Sequence, residues 1–444
     1  MKPHRLFFYL LILFLPSQLG LHMWPSWSMV LGRRIDYLSP TLYFTDILII
    51  LLLASWFGEF ILRGWGFVLG IMEKKRKEVL QFTLIHNTKT IILLLLFVLL
   101  NIYFSLSRPV AIYYWIKFFE LFLFGIYIVK TKFRLFHTAI FLSVAVLYSS
   151  VLAIWQFILQ HSVGGLWWFL GERTFTNATA GIAQIPLCFA RVGSCPLLLR
   201  SYGTFSHPNV LGGFLALTLP FLLFEYPNIL TERSKIMYWI QKVFLLSILL
   251  GVVALILTFS RSAWVVGAVL MTWTFVEQKK QEAKSKKHVR TVSAIIGITA
   301  LVILVALSLR STDESVVVRE QLNTSAIHMW QMAPIFGVGL GNFLVALPHF
   351  LPLRTVYFLQ PAHNIYLLLL SEIGVIGICL VLFFIIKLLK SESRIKTPSP
   401  IHYSLIALLL LGLVDHYPLT LQQGQLLLTI FMSLSLVPSR HVKS

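Results

Sequence analysis

The amino-acid sequence predicts an all-α, polytopic membrane protein: a bundle of about twelve transmembrane helices with a large extracytoplasmic loop. Three observations predict it. Hydrophobic residues make up 57% of the 444 positions and charged residues only 12%, about half the ~25% charged fraction of a soluble globular chain. Apolar runs recur from end to end, each near the length that crosses roughly 30 Å of hydrocarbon, about 20 helical residues. Lysine and arginine concentrate in alternate connections between those runs.

In order, the runs are 6–22, 41–62, 83–106, 109–129, 135–160, 209–226, 237–258, 263–276, 291–309, 363–387, 401–416 and 424–438. They are continuously apolar and lack the alternation of a membrane barrel, so strands are not expected in them. Lys2 and Arg5 precede the first run, and no small-x-small cleavage site is clear after Pro16, so a retained helix is expected rather than a signal peptide. The organisation expected is an N-terminal bundle with the first outer loop over 1–199, transmembrane helices over 200–309, an extracytoplasmic loop over 310–362 and C-terminal helices over 363–444.

With Lys2 and Arg5 inside, 25 lysines and arginines fall in inside connections, including Lys74, Lys75, Arg76 and Lys77, and Lys284, Lys286, Lys287 and Arg290. The outside set holds ten residues, among them Arg173, Arg191, Arg200, Arg261, Arg310, Arg319 and Arg354, and all ten are arginines. This asymmetry accounts for the net charge of +20 without nucleic acid, since no basic patch is interleaved with soluble-type sequence. Arginine is also the side chain suited to a bidentate grip on phosphate.

Two outer connections are long, about 161–208 and 310–362. Loops of that size are usually lids or partly inserted segments. The first carries Trp167, Trp168 and Phe169, read as an aromatic anchor at headgroup level in preference to a sugar-stacking platform. It also carries Cys188 and Cys195, seven residues apart on the oxidising side, so a disulfide between them is open. In the second loop, Val318, Leu322, Ala326, Met329 and Ala333 recur at helical spacing, which predicts an amphipathic helix over 316–333 stopped by Pro334. The glycine run Gly337-Val-Gly-Leu-Gly-Asn-Phe343 can turn tightly or approach a ligand closely, but it lacks a Walker lysine. Lys117 and Glu120 are spaced to neutralise each other on one helix face.

Four segments together carry a resemblance. Arg200-Ser-Tyr-Gly-Thr-Phe-Ser-His-Pro-Asn209 before a helix, Ser260-Arg261-Ser-Ala-Trp264, Arg319 through the glycine run, and His363-Asn364-Ile-Tyr366 followed by Glu372-Ile-Gly374 stand in the order seen in the O-antigen ligase and polymerase superfamily. The likeness is dense from about 200 to 385 and elsewhere is one of topology. It implies a GT-C-like inner-membrane glycosyltransferase of the bacterial envelope. Such an enzyme moves a glycan from an undecaprenyl diphosphate carrier to a lipid or glycan acceptor outside the cytoplasm, with no metal and no cofactor. The partners implied are that donor, the acceptor and membrane lipids.

The chemistry asks for a matching set of groups. A sugar leaving its lipid diphosphate develops negative charge, which preorganised cations stabilise. Arg261 and Arg319, with Arg200, are assigned to the diphosphate. His363 is the candidate general base for the acceptor hydroxyl, kept neutral at a helix N-terminus, and Asn364 orients it or the donor. Asp415 and His416 near the outer end of the eleventh run are lesser candidates, and Glu372 is read as a structural partner within the bilayer.

Taken singly, Arg261 reads equally well as a snorkelling helix-end arginine and His363 as a capping histidine. No HExxH or cysteine-rich spacing marks a zinc site, and acidic residues are too few outside for a paired-carboxylate glycosidase. A ligase is the leading reading. A polysaccharide polymerase is the near alternative, and a transporter of a small anion is the alternative of another class. A transporter is expected to show symmetric halves and broken helices around a midplane site.

Overall fold

The computed structural model describes residues 2–68, 88–131, 133–186, 196–231, 234–282, 313–351, 359–391 and 400–436. The ninth run, 291–309, lies outside the described residues, as do Cys188, Cys195, Arg191, Arg310, Arg354 and the basic clusters at 74–77 and 284–290.

The long helices of the described chain are α1 Pro3–Leu13, α2 Phe44–Val68, α3 Thr88–Tyr103, α4 Arg108–Thr131, α5 Leu135–Leu159 and α6 Pro208–Thr231. They continue with α7 Lys235–Leu257, α8 Arg261–Glu282, α9 Asp313–Met332, α10 Ile365–Ser391, α11 Pro400–Leu411 and α12 Gln422–Ser435. Among the described residues, α4 to α7 and α10 are long and apolar enough to cross a membrane, and α1, α3 and α11 contain shorter apolar stretches. Their outward faces carry large apolar side chains, such as Leu93, Leu96 and Leu99 on α3 and Leu245, Leu249 and Ile256 on α7. A soluble protein would hide such continuous apolar surface, whereas hydrocarbon solvates it. The chain is a multi-pass, mainly helical membrane protein.

The first run, expected over 6–22, is helical only to Leu13. Pro16 lies just beyond that end and is hostile to continuation, and Gly20–His22 (β1) pairs antiparallel with Thr41–Tyr43 (β4). The second run correspondingly enters its helix at Phe44 rather than 41. Two further small hairpins, Met29–Val30 (β2) with Arg33–Arg34 (β3) and Gln184–Pro186 (β5) with Leu197–Leu199 (β6), also sit in connections between helices. In the eleventh run the helix stops at Leu411, leaving Asp415 and His416 on a loop.

The centre of the bundle is α6. Over its apolar stretch 78% of residues are buried, against 28% for α4, α7 and α10, so α6 is enclosed by protein and the others face outward. It packs along α8, α7, α5 and α11. Two glycines make the approach close: a Cβ on Gly212 would come within 2.9 Å of the Ala263 Cβ, and one on Gly213 within 1.9 Å of the Tyr417 hydroxyl. Both neighbours lead directly into the site. Lys2 at the start of α1 pairs with Glu59 in α2, and the Nε2 of His4 lies 3.2 Å from the same carboxylate, so these two helices are clamped at one end.

The amphipathic helix expected over 316–333 forms as α9, and Leu322, Ala326 and Met329 are buried on its inner face. The glycine run after it approaches its own chain rather than a ligand. Gly337, Gly339 and Gly341 have φ of 72°, 102° and 77°, and a Cβ on Gly337 would lie 2.3 Å from the Glu372 carbonyl carbon. Val338 N and Gly339 N donate to the carbonyls of Ser371 and Glu372, and Phe343 N donates to the Glu372 carboxylate at 3.2 Å. Glu372 is thus a structural acceptor, as its depth in the sequence run suggests.

Opposite the glycine run α10 is broken at Gly374, whose φ of 62° and ψ of −172° are non-helical. The donors freed there, Val375 N and Ile376 N, find the carbonyls of Pro334 and Ile335 at 2.9 and 3.3 Å. A broken helix is present, then, but the protein's own backbone fills the break. Lys117 ion-pairs with Glu120 at 2.9 Å and also with Asp46 at 2.6 Å, a partner from another helix.

Candidate active site

A cavity of about 1010 Å³ opens where the loops before α6, α10 and α12 meet the start of α9. Arg200, Arg319 and His363, which come from three separate segments of the chain, all line it.

Arg200 leaves strand β6 and is fixed by its own neighbours. Its Nε donates to the Thr258 carbonyl at 2.7 Å and its Nη2 to the Asn209 Oδ1 at 2.8 Å. Asn209 Nδ2 in turn donates to Asp415 Oδ2 at 3.1 Å. Burial, followed by the positive charges of Arg319 and Arg261, lowers the guanidinium to about 10, partly offset by Tyr202 and Asp415. It stays charged at neutral pH.

Thr258 belongs to the tight turn joining α7 to α8, in which Phe259 adopts φ of 48°, a conformation uncommon outside glycine. That turn sets Arg261 at the first position of α8. Arg261 is close enough to Arg200 to depress its pKa, yet it is not among the residues lining the cavity.

Arg319 projects from the early turns of α9 and lines the cavity, with no hydrogen bond or ion pair among the described residues. Arg173, exposed on the first long loop, adds a guanidinium at the same cavity.

His363 sits two residues before α10, and its Nδ1 is buried without a partner among the described residues. Burial, assisted by Arg319, lowers its pKa despite the Asp415 carboxylate, so the ring is neutral at pH 7. Its neighbour His416 stands at 5.0 Å, ring edge to face, with its own pKa pushed down to about 4 by burial. His207 is lowered further, to about 3, by burial and then Arg200. Burial alone would raise Asp415, but the imidazoles of His416, His363 and His207 and the Asn209 amide override it and hold the carboxyl below its ordinary value. The cluster is therefore a carboxylate among neutral imidazoles, and of the three rings His363 has a buried nitrogen without a partner among the described residues.

Asn364 has a different place from the one expected. Its Oδ1 accepts from Tyr366 N at 2.9 Å and Leu367 N at 3.1 Å, which caps the first turn of α10, and Asn364 does not line the cavity. Asp415 and His416, lesser candidates by sequence, stand beside His363. They are missed as a set because a 52-residue separation carries no spacing signal.

His363, Asp415 and His416 also present potential metal-ligating atoms within 4.8 Å of one another. Three facts weigh against a cation there. Asp415 spends Oδ1 on His416 N and Oδ2 on Asn209, His416 Nδ1 shares a 2.6 Å hydrogen bond with Thr420, and Arg200 and Arg319 supply positive charge alongside.

Residues 246–383 match the family model described as O-antigen ligase. The match runs from within α7 to within α10 and supports the O-antigen ligase and polymerase superfamily. No curated protein matches the chain. Of the site residues, the matched segment contains Arg261, Arg319, His363 and Asn364, whereas Arg200, Asp415 and His416 come from outside it. Lipid-linked glycans and membrane lipids are the substrates and surroundings that this family implies.

Proposed function

We propose that the protein is an O-antigen ligase-like glycosyltransferase of the bacterial inner membrane, GT-C-like and of about twelve spans, that acts on the extracytoplasmic side. It moves a glycan from undecaprenyl diphosphate to a lipid or glycan acceptor. The observation that carries this reading is the shared cavity: the guanidinium of Arg200, fixed by its neighbours, that of Arg319 and the neutral imidazole of His363 line one space large enough for a glycosyl diphosphate.

Arg319 and Arg200, with Arg261 behind Arg200, hold the diphosphate and offset the charge that develops as the bond from its oxygen to the anomeric carbon breaks. The acceptor hydroxyl oxygen attacks that carbon, and its proton passes to His363. The electron pair of the broken bond leaves with undecaprenyl diphosphate. Asp415 stabilises the imidazolium formed on His363 and, through Asn209, keeps Arg200 in place. No step requires a metal, because the arginines supply the positive charge.

A polymerase would use the same donor site and differ in the acceptor. Transport is disfavoured because the break in α10 is closed by Pro334 and Ile335 rather than open to the cavity. The test is purified protein in lipid nanodiscs with a lipid-linked glycan and candidate acceptors. Wild type transfers glycan, with or without a chelator. His363→Ala and Arg319→Ala remain folded and lose transfer by about 10²-fold or more. Full transfer by His363→Ala would withdraw the base, and uptake into vesicles without transfer would replace the enzyme with a carrier.

A further inference from the structure

Resting on the glycosyl-transfer reading, we infer that Tyr37 is an acceptor-binding residue: its hydroxyl hydrogen-bonds a sugar hydroxyl of the acceptor while His363 takes the proton of the neighbouring one.

Tyr37 comes from the connection between α1 and α2, far outside the matched segment 246–383, yet it lines the cavity. Its ring stands edge to face against His416 at 5.5 Å, and His416 stands in the same way against His363 at 5.0 Å. A single imidazole therefore separates the phenol from the base.

The backbone at Tyr37 is held firmly. Its carbonyl accepts from the Tyr114 hydroxyl at 2.6 Å, and Tyr114 fits because Gly341 has no side chain: a Cβ there would lie 2.1 Å from the Tyr114 ring. Val30, Ile35 and Leu38 are buried in one apolar cluster with Leu322 and Met329 of α9 and with Ala362 beside His363. The turn that carries Tyr37 thus shares a core with the elements that carry Arg319 and His363. The glycine run, through Tyr114, supports that turn.

Among the described residues the Tyr37 hydroxyl has no hydrogen-bond partner and, unlike His363 Nδ1, is not shut away from the cavity that it lines. The same holds for His363 Nε2, which is therefore the ring nitrogen that a substrate can reach. Burial, then the carboxylates of Asp415 and Asp36, keep the phenol protonated against the opposing pull of Arg173. It is a neutral group that both donates and accepts, set where two carboxylates face one guanidinium.

That setting selects between the two substrates. A diphosphate offers only acceptor oxygens and negative charge, which the carboxylates repel, so it belongs at the arginine end with Arg200 and Arg319. A sugar hydroxyl is uncharged and can donate to Tyr37 or accept from it. Sugars carry hydroxyls on adjacent carbons, so one can reach His363 Nε2 while the next reaches Tyr37.

The test uses full-length protein in nanodiscs with fluorotyrosine at position 37. Two probes are added separately: inorganic pyrophosphate, and the glycolipid fraction extracted from the membranes that make the protein. The fluorine resonance is expected to move with the glycolipid fraction and to stay within its linewidth with pyrophosphate. Tyr37→Phe keeps the ring against His416 and removes only the hydroxyl. In steady-state transfer from the lipid-linked glycan to that fraction, it is expected to raise KM for the acceptor about tenfold. KM for the donor and the affinity for pyrophosphate should stay within about twofold, whereas a merely structural role would lower the unfolding temperature and disturb both substrates alike.

A resonance that answers pyrophosphate but not the glycolipid overturns the proposal and assigns Tyr37 to the donor. Silence toward both probes, or an unchanged acceptor KM in Tyr37→Phe, also overturns it. If both probes move the resonance, the KM split decides. If the glycolipid moves it but wild type transfers nothing, Tyr37 stands as a glycolipid contact and the transferase reading falls.

Discussion

At the residue scale, the functional question is which protonation state each group holds. Burial keeps His363 neutral near pH 7, and a general base must be neutral to act, so kcat/KM is expected to rise with pH through a midpoint below 6.5 and then stay level. At the alkaline end, loss of charge on Arg200 near pH 10 should weaken diphosphate binding. A pH–rate profile of transfer checks both limbs, and an acidic limb above 6.5 would contradict the burial argument. Asn364 belongs to a different category of residue. Because it caps α10, Asn364→Ala is expected to lower stability by ~0.5–2 kcal/mol. Thermal unfolding should show that loss, with the affinity for pyrophosphate near wild type. The arginines and His363 were legible as candidates because they fall in four short segments whose order resembles that of one family; taken singly, each had an ordinary structural reading. Asn364 was misplaced for a local reason: a side chain just before a helix can turn back on that helix, and spacing does not reveal which way it turns.

At the element scale, the path from sequence to site runs through small residues. Gly213 admits the Tyr417 hydroxyl against α6, and Gly212 admits the start of α8, so the loop that carries His416 and the helix end that carries Arg261 converge on one buried helix. Gly374 performs the corresponding task in α10. A Cβ there would lie 2.4 Å from the Ile335 carbonyl oxygen, in a backbone conformation that side chains rarely adopt. Gly374→Ala is therefore expected to destabilise the protein by about 1–3 kcal/mol and to loosen the 334–343 segment. A lower unfolding temperature and faster proteolysis of that segment would show it, and wild-type values for both would refute it. Helix existence was readable from apolar length, and α9 from its periodicity. Helix ends were less so. The first run looked 17 residues long because Leu19 and Leu21 follow closely on the apolar stretch, yet the chain turns after Leu13 and Gly20–His22 pairs with Thr41–Tyr43. Hydropathy reports the solvent a segment prefers and is silent about backbone conformation.

At the scale of the molecule, the asymmetric distribution of lysine makes a topological prediction. With the three cysteines replaced by serine, a cysteine introduced at Leu166 or Gln360 should react with a membrane-impermeant maleimide in intact cells, and one at Ser234 only after permeabilisation. The reverse pattern would place the cavity on the cytoplasmic face and end the proposed reaction. The same cells, labelled at Gln360 with and without pyrophosphate in the medium, would show whether the loop beside His363 is shielded when the arginine end is filled.

The sequence by itself determined the solvent of this protein, the approximate positions of its helices and the small stock of charged groups outside them, because each depends on composition and local periodicity. The tertiary structure alone decided that Arg200, Arg319 and His363 line one space, that Asp415 and His416 join them, and that Arg261 stands behind. Those outcomes depend on how distant helices pack against α6, where a single missing Cβ sets the distance of approach, and no local pattern along the chain encodes that distance.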